Sequence, residues 1–286
     1  MARCEVCFRH CELREGQIGF CGARKNTGGK VCADNYGRIT ALALDPIEKK
    51  PLQRFHPGTM ILSVGSYGCN LRCPFCQNSD ISWSERAFGY RDEARLVTTE
   101  LLADTAEQYR SRGNIGLAFT YNEPLVGFEF VRDTAKLVHE RGMLNVLVSN
   151  GTAEPWVLDE LAPYIDAMNI DLKGITERYY GRTLGGDLEA VKEFISRAVK
   201  FCHVELTTLI VPGENDSETE MRTLAEWVAS LTDSEGRVIG KSIPLHVSRF
   251  FPRFRMTDRP PTDAGLVYRL AEIAGERLDY VYTGNC

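Results

Sequence analysis

The chain is poor in several features that would settle its class at once. It has no run of 18 or more apolar residues, the length from which a membrane-spanning helix is read. Its first residues, MARCEVCFRHCELREGQ, hold no apolar core of the roughly 7–15 residues found in a secretory signal. Lys and Arg number 34 against 39 Asp and Glu, a net charge of −5, so no basic excess indicates nucleic acid or an anionic membrane. No internal repeat and no low-complexity stretch occurs, which excludes collagen-like and disordered classes. The expected location is the cytoplasm.

Disulfide density is also missing. Ten cysteines in 286 residues fall well short of the ~8–10% of a disulfide scaffold, and a chain of this length can bury roughly 75% of its unfolded surface without such staples. In a reducing compartment, clustered cysteines read as metal ligands or reactive thiols. Cys4, Cys7, Cys11, Cys21 and Cys32 lie near the start, Cys69, Cys73 and Cys76 form a tight group, and Cys202 and Cys286 stand alone.

Residues 1–58 are rich in Cys, Gly and charge, with no sustained helical period. They are expected to form a small metal-binding lobe. Over 59–286 the texture changes to short β-branched or apolar runs, at Ile61–Ser66, Ile115–Thr120, Leu144–Asn150, Ala167–Lys173, Val204–Val211 and Ile243–Phe250, alternating with amphipathic stretches at 98–112, 127–141, 154–163, 187–201 and 217–231. A weaker helix near 263–277 and a short strand at 280–284 follow. Thr99 is placed to cap the first helix, and Ser217 with Glu220 forms a capping box for the fifth. Such alternation signals parallel β/α units. Six clear strands are too few for an eight-fold barrel and leave a doubly wound sheet or an incomplete (β/α)6 barrel, the reading taken here, with polar residues at the strand ends where a parallel fold carries its site.

The segment GCNLRCPFCQN sets Cys69, Cys73 and Cys76 at C-x3-C-x2-C just after the first of these strands. Three thiolates on one loop can hold three irons of a [4Fe–4S] cluster, which normally takes four, leaving one iron open to a small ligand. The plain alternative is a zinc site or a set of buried free thiols. The motif, with Phe75 before the last cysteine, resembles that of the radical S-adenosylmethionine (SAM) enzymes. The resemblance implies that the open iron chelates SAM, and that one-electron reduction yields a 5′-deoxyadenosyl radical.

The other strand ends are similar to features of the pyruvate formate-lyase activating enzyme branch. Resemblance places Asn122 and Glu123, in FTYNEP, at a motif that usually ends in Gly-Gly-Glu, with Glu123 accepting hydrogen bonds from the SAM amino group. It likewise assigns SAM contacts to Asn150 in SNG, Asp171 and Lys173 in DLK, and His246 in PLHVSRF, with Leu209–Asp216 along the adenine. Read singly, His246 suits a structural role, DLK an exposed ion pair and Asn150-Gly151 a tight turn. End to end, the stretches Cys4–Asn26, DPIEKKPL (45–52), GCNLRCPFCQNSDIS, FTYNEP, LIVPGENDS, PPT and YVYTGN resemble the group called AmmeMemoRadiSam system radical SAM enzymes.

Cys4, Cys7, Cys11 and Cys21 supply four thiolates, enough to close a tetrahedral Zn or Fe site, the preferred reading, or to bind an auxiliary cluster. Free or redox-active thiols are the alternative. Cys202 reads as a small core residue, and Cys32 and Cys286 have no assignment. Lys49 and Lys50 suit a solvated loop, with the DPIEKKPL segment placed to cover the site's mouth.

The expected activity is that of a radical SAM oxidoreductase. It takes electrons from a one-electron donor such as flavodoxin or ferredoxin and abstracts hydrogen from a protein substrate, as a glycyl radical enzyme activase does. Against this the chain has neither a DGPG-type segment nor a ferredoxin-like insert. Radical modification of a small molecule or peptide is the second hypothesis, and a metal or Fe–S scaffold or iron sensor the non-enzyme one.

Overall fold

The computed structural model describes residues 1–286. Eight strands form one sheet in chain order: β1 (Ala41–Pro46), β2 (Met60–Gly65), β3 (Asn114–Phe119), β4 (Leu144–Ser149), β5 (Ala167–Asp171), β6 (His203–Ile210), β7 (Leu245–Arg249) and β8 (Val281–Gly284). Strands β2 to β8 run parallel and β1 pairs antiparallel to β2. Six helices fill the crossovers: α1 (Thr99–Gln108), α2 (Phe128–Glu140), α3 (Pro155–Leu161), α4 (Leu188–Ala198), α5 (Glu218–Ala229) and α6 (Ala264–Gly275). Capping follows the sequence with one shift. Ser217 accepts from the Glu220 amide at 3.2 Å, but Thr98, not Thr99, caps α1 by accepting from Leu101 N, because Thr99 already lies inside the helix.

Strand alternation separates two environments. Leu62, Val64, Leu117, Phe119, Leu147, Met168, Ile170, Leu206, Leu245 and Val247 join the helices in one large core. Ile61, Ala118, Val146 and Ala167 point the other way and pack with Ile47 and Leu52 in a small second core. Helices therefore cover one face only, and the other is the inner face of an incomplete barrel. Seven parallel strands take part. The seventh is the short 280–284 segment, which the sheet completes by pairing it with β7.

The segment after β1 lies at the strands' N-terminal ends, since Pro46 pairs with Met60, the first residue of β2. Asn169 Nδ2 donates to Pro51 O at 2.9 Å, and Gln53 N and Arg54 N donate to Glu205 at 3.0 and 2.8 Å. DPIEKKPL thus plugs the base of the barrel instead of covering its mouth. Lys50 is not solvated either. It is 2% exposed and paired with Asp45 at 2.8 Å, which also accepts from Tyr121 OH at 2.7 Å.

Before β1 the chain makes two short antiparallel pairs, Ala2–Arg3 with Glu12–Leu13 and Arg24–Thr27 with Lys30–Ala33. This part sits on the C-terminal rim of the sheet. Buried Arg24 pairs with Glu129 of α2 at 2.7 Å, Cys7 bridges Ala153, and Glu154 N donates to Val6 O at 2.9 Å.

Candidate active site at the rim of the barrel

The cysteine loop leaves β2 through Gly68, whose φ of +97° only glycine adopts readily. A Cβ there would stand 2.6 Å from Ala23 Cβ and 2.8 Å from Cys21 O. This close approach lets Cys69 N donate to Cys21 O at 3.1 Å, so the N-terminal lobe abuts the first cysteine of the loop. Farther along, Cys76 N donates to Cys73 O, and so does Trp83 Nε1, at 3.2 Å.

None of the three thiols forms a disulfide. Burial raises each one. Cys73 is pushed up to about 12, with Lys173 opposing; at Cys69 the Glu123 charge adds to burial, while at Cys76 a hydrogen bond to Ser82 opposes it. Buried thiols this basic become thiolates chiefly when a metal displaces the proton. No three His, Cys, Asp or Glu side chains surround a point that would hold a single metal ion. A cluster places each thiolate on a separate iron, and three soft donors on one loop suit it. At the N-terminal set, a closed mononuclear zinc or iron site would need the four sulfurs drawn inward. There burial lifts Cys21 to about 12, and the Cys7 thiol is raised by burial while bonded to Asn70.

Glu123 follows β3 and is 3% exposed. Asn150 N, Leu125 N and Ser149 Oγ donate to its carboxylate at 2.8, 3.0 and 2.8 Å. Burial outweighs these donors and pushes its pKa up to about 7. The neighbouring Asn122 faces inward, accepting from Ser66 N at 2.9 Å and donating to Gly68 O at 3.1 Å. It ties the Glu123 loop to the cysteine loop.

Asn150 Nδ2 donates to Asn70 Oδ1 at 2.9 Å and lies 3.7 Å from Cys69 Sγ, while Gly151 takes the positive φ of the turn. Lys173 Nζ pairs with Asp171 at 2.8 Å, and both influence Cys73. That ion pair is partly buried, not solvated. Phe75 packs edge-on to Phe250 at 6.2 Å. Cys69, Cys73, Cys76, Phe75, Glu123, Asn150, Asp171 and Lys173 thus come from the rim ends of β2 to β5, with Phe250 just past β7.

His246 does not join them at the rim. It is the second residue of β7, three before the strand's end, or about 10 Å down at ~3.3 Å per residue. There its Nε2 meets Glu205 at 2.7 Å and its ring stacks on Tyr282 at 5.4 Å. Glu205, which sequence reasoning missed, was visible as the single acid in the run VELTTLIV (204–211). Cys202 is half-buried beside Ala198 O, and Cys32 and Cys286 are exposed.

A one-faced parallel β/α barrel carrying a three-cysteine loop at its rim defines a class of iron–sulfur enzyme. Residues 63–225, more than half of the chain, match the family model described as Radical SAM superfamily, and the chain belongs to that superfamily. It is therefore an enzyme of the family that works with a [4Fe–4S] cluster and SAM. It is 40% identical, over 99% of its length and 81% of the relative's, to the uncharacterized protein MJ0808 of Methanocaldococcus jannaschii. It is 27% identical to the pyruvate formate-lyase 1-activating enzyme of Escherichia coli K12, over 59% of this chain and 68% of that one. The crystal structure of Streptococcus suis SuiB bound to S-adenosylmethionine shares the fold, with a TM-score of 0.58 at 14% identity over 77% of this chain. This chain spans about half of SuiB (48%). No helix is long and apolar enough to cross a membrane.

Proposed function

We propose that Cys69, Cys73 and Cys76 hold the [4Fe–4S] cluster and that Glu123, Asn150, Asp171 and Lys173 hold SAM, for hydrogen abstraction from a protein substrate. The observation that carries the reading is the convergence of Glu123, Asn150 and Lys173 on the cysteine loop from successive strand ends. When bound, the cluster and SAM supply a 5′-deoxyadenosyl radical by one-electron cleavage. The chain's part is to bind, orient and exclude water.

Buried Glu123 offers acceptor oxygens to an ammonium, Lys173 offers a cation to a carboxylate, and the apolar surround of Phe75, Phe250 and Leu71 keeps water away. His246, held by Glu205, faces the barrel interior below them. The activating-enzyme relatives support a protein Cα–H as the position attacked, with a flavodoxin or ferredoxin as electron donor. The expected lobe over 1–58 is divided by the sheet, since 41–46 form β1 and the following segment plugs the barrel; the part ahead of β1 supplies Cys4, Cys7, Cys11 and Cys21 for a second site, Zn or Fe.

Anaerobically reconstituted protein with dithionite is expected to convert SAM to 5′-deoxyadenosine, and Cys73→Ala to lose at least about a hundredfold of that rate, since an essential ligand is gone. Undiminished turnover in the variant would overturn the cluster assignment.

A further inference from the structure

The outer side of the cysteine loop is covered by a tight turn that the reading above leaves without a role. Arg253 N donates to Met256 O and Met256 N to Arg253 O, at 3.2 and 3.0 Å, leaving Phe254 and Arg255 at the tip. Phe254 adopts a φ of +52°, a conformation costly for a bulky residue and informative where it persists. The strained turn presses its ring edge-on to Trp83, centroids 4.8 Å apart. Trp83 in turn donates its indole N–H to Cys73 O, and Arg255 N donates to Pro74 O at 2.9 Å. From exposed turn to cysteine ligand the route is one aromatic ring and one hydrogen bond.

The surroundings are cationic and aromatic. Between Arg249 and Arg259 the chain has four arginines and one acid, Asp258, in a protein of net charge −5. Arg253 and Arg255 are exposed. Arg255 lies over the Trp83 ring at 4.8 Å, and Arg72 lies 5.5 Å from it and 3.7 Å from Phe20. Phe251, beside Arg249, and Phe20, beside Arg72, are 40% and 39% exposed. Solvent-facing aromatics among arginines are the composition of an interface, and the positive charge selects an acidic partner.

We propose that the Phe254–Arg255 turn over Trp83 is the docking surface for a small acidic one-electron carrier protein, reduced flavin or iron–sulfur in type. The proposal rests on Cys69, Cys73 and Cys76 being the cluster ligands. One electron passes from the reduced carrier, by way of the Trp83 contact, to the site those cysteines hold. The carrier leaves oxidised by one electron, and no bond forms or breaks. Redox encounter complexes are small and steered by charge, as a patch of arginines beside a buried ligand loop provides.

The test is the double variant R253E/R255E, which reverses two exposed side chains and leaves the Arg255 N to Pro74 O bond in place. With limiting reduced flavodoxin as the probe, 5′-deoxyadenosine formation is expected to fall about tenfold at low salt and to lose most of its salt dependence. The dithionite-driven rate stays within about twofold. Unchanged dependence on flavodoxin would overturn the proposal. So would carrier kinetics left intact while a protein substrate reacts more slowly, since the surface would then belong to that substrate. Titration of oxidised flavodoxin into the anaerobic protein reads the surface without turnover: weaker binding by the variant supports it and equal binding defeats it. Absence of dithionite-driven cleavage in the unaltered protein would instead refute the cluster assignment, and the titration would still decide the surface.

Discussion

Glu205 accepts four hydrogen bonds, from Gln53 N, Arg54 N, His203 Nε2 and His246 Nε2, and its side chain meets no solvent. Burial opposes its charge, but the two imidazoles and two amides outweigh it and hold the carboxyl near 2. Glu123 shows the opposite balance: with no cation on it, burial wins over three neutral donors. For Glu205 the unfolded chain returns to about 4.5, so between pH 4.5 and 2 the unfolded state binds a proton that the folded state does not. Its contribution, about 3 kcal/mol, is full above pH 4.5 and lost as the pH falls through 2. Glu205→Gln should lower the apoprotein's urea stability at pH 7 by about 3 kcal/mol and flatten its decline between pH 5 and 3. An unchanged acid limb would show that the carboxylate is not ionised in the fold. The acid was plain in the sequence, but its partners at positions 53, 54 and 246 became neighbours only when the plug and β7 met β6.

Among the elements, the parallel strands and their helices were legible because alternation and helical period record which side of each segment is buried. The plug after β1 was not. A run such as IEKKPL has the polarity of a surface loop, and what buries Lys50 is the pairing of Asp45 with Ile61, which brings Asp45, Lys50 and Tyr121 together. Lys50→Ala leaves Asp45 with Tyr121, Ser63 and the exposed Lys49, and should cost about 3 kcal/mol in apoprotein unfolding. Adding Asp45→Asn should return part of that loss, whereas purely additive costs would mean the pair is uncoupled. His246 is a related case: its place in β7 depended on where the strand starts, a boundary that pattern alone places poorly. For the N-terminal lobe, a Cys69/Cys73/Cys76 triple-alanine protein should still carry about one metal per chain. Metal-free protein by elemental analysis would remove the second site.

Across the whole molecule, the chain starts on the rim, descends through β1, crosses the base of the barrel and climbs β2 to the cysteine loop. The N-terminal lobe therefore lies beside the site, with Cys21 O bonded to Cys69 N. If a protein Cα–H is the target, a deuterated glycyl position in the partner should transfer label to 5′-deoxyadenosine, while labelled small metabolites should not. Label arriving only from a metabolite would move the assignment to small-molecule chemistry. By itself the sequence determined the cysteine loop, the β/α alternation and the family resemblance, because spacing and periodicity are local properties that survive without coordinates. Only the tertiary structure decided that the DPIEKKPL segment plugs the base and not the mouth, that His246 belongs to Glu205 below the rim, and that a strained arginine turn lies on Trp83. Each of these depends on residues brought together from distant strands, and burial sets their charge only after that contact is made.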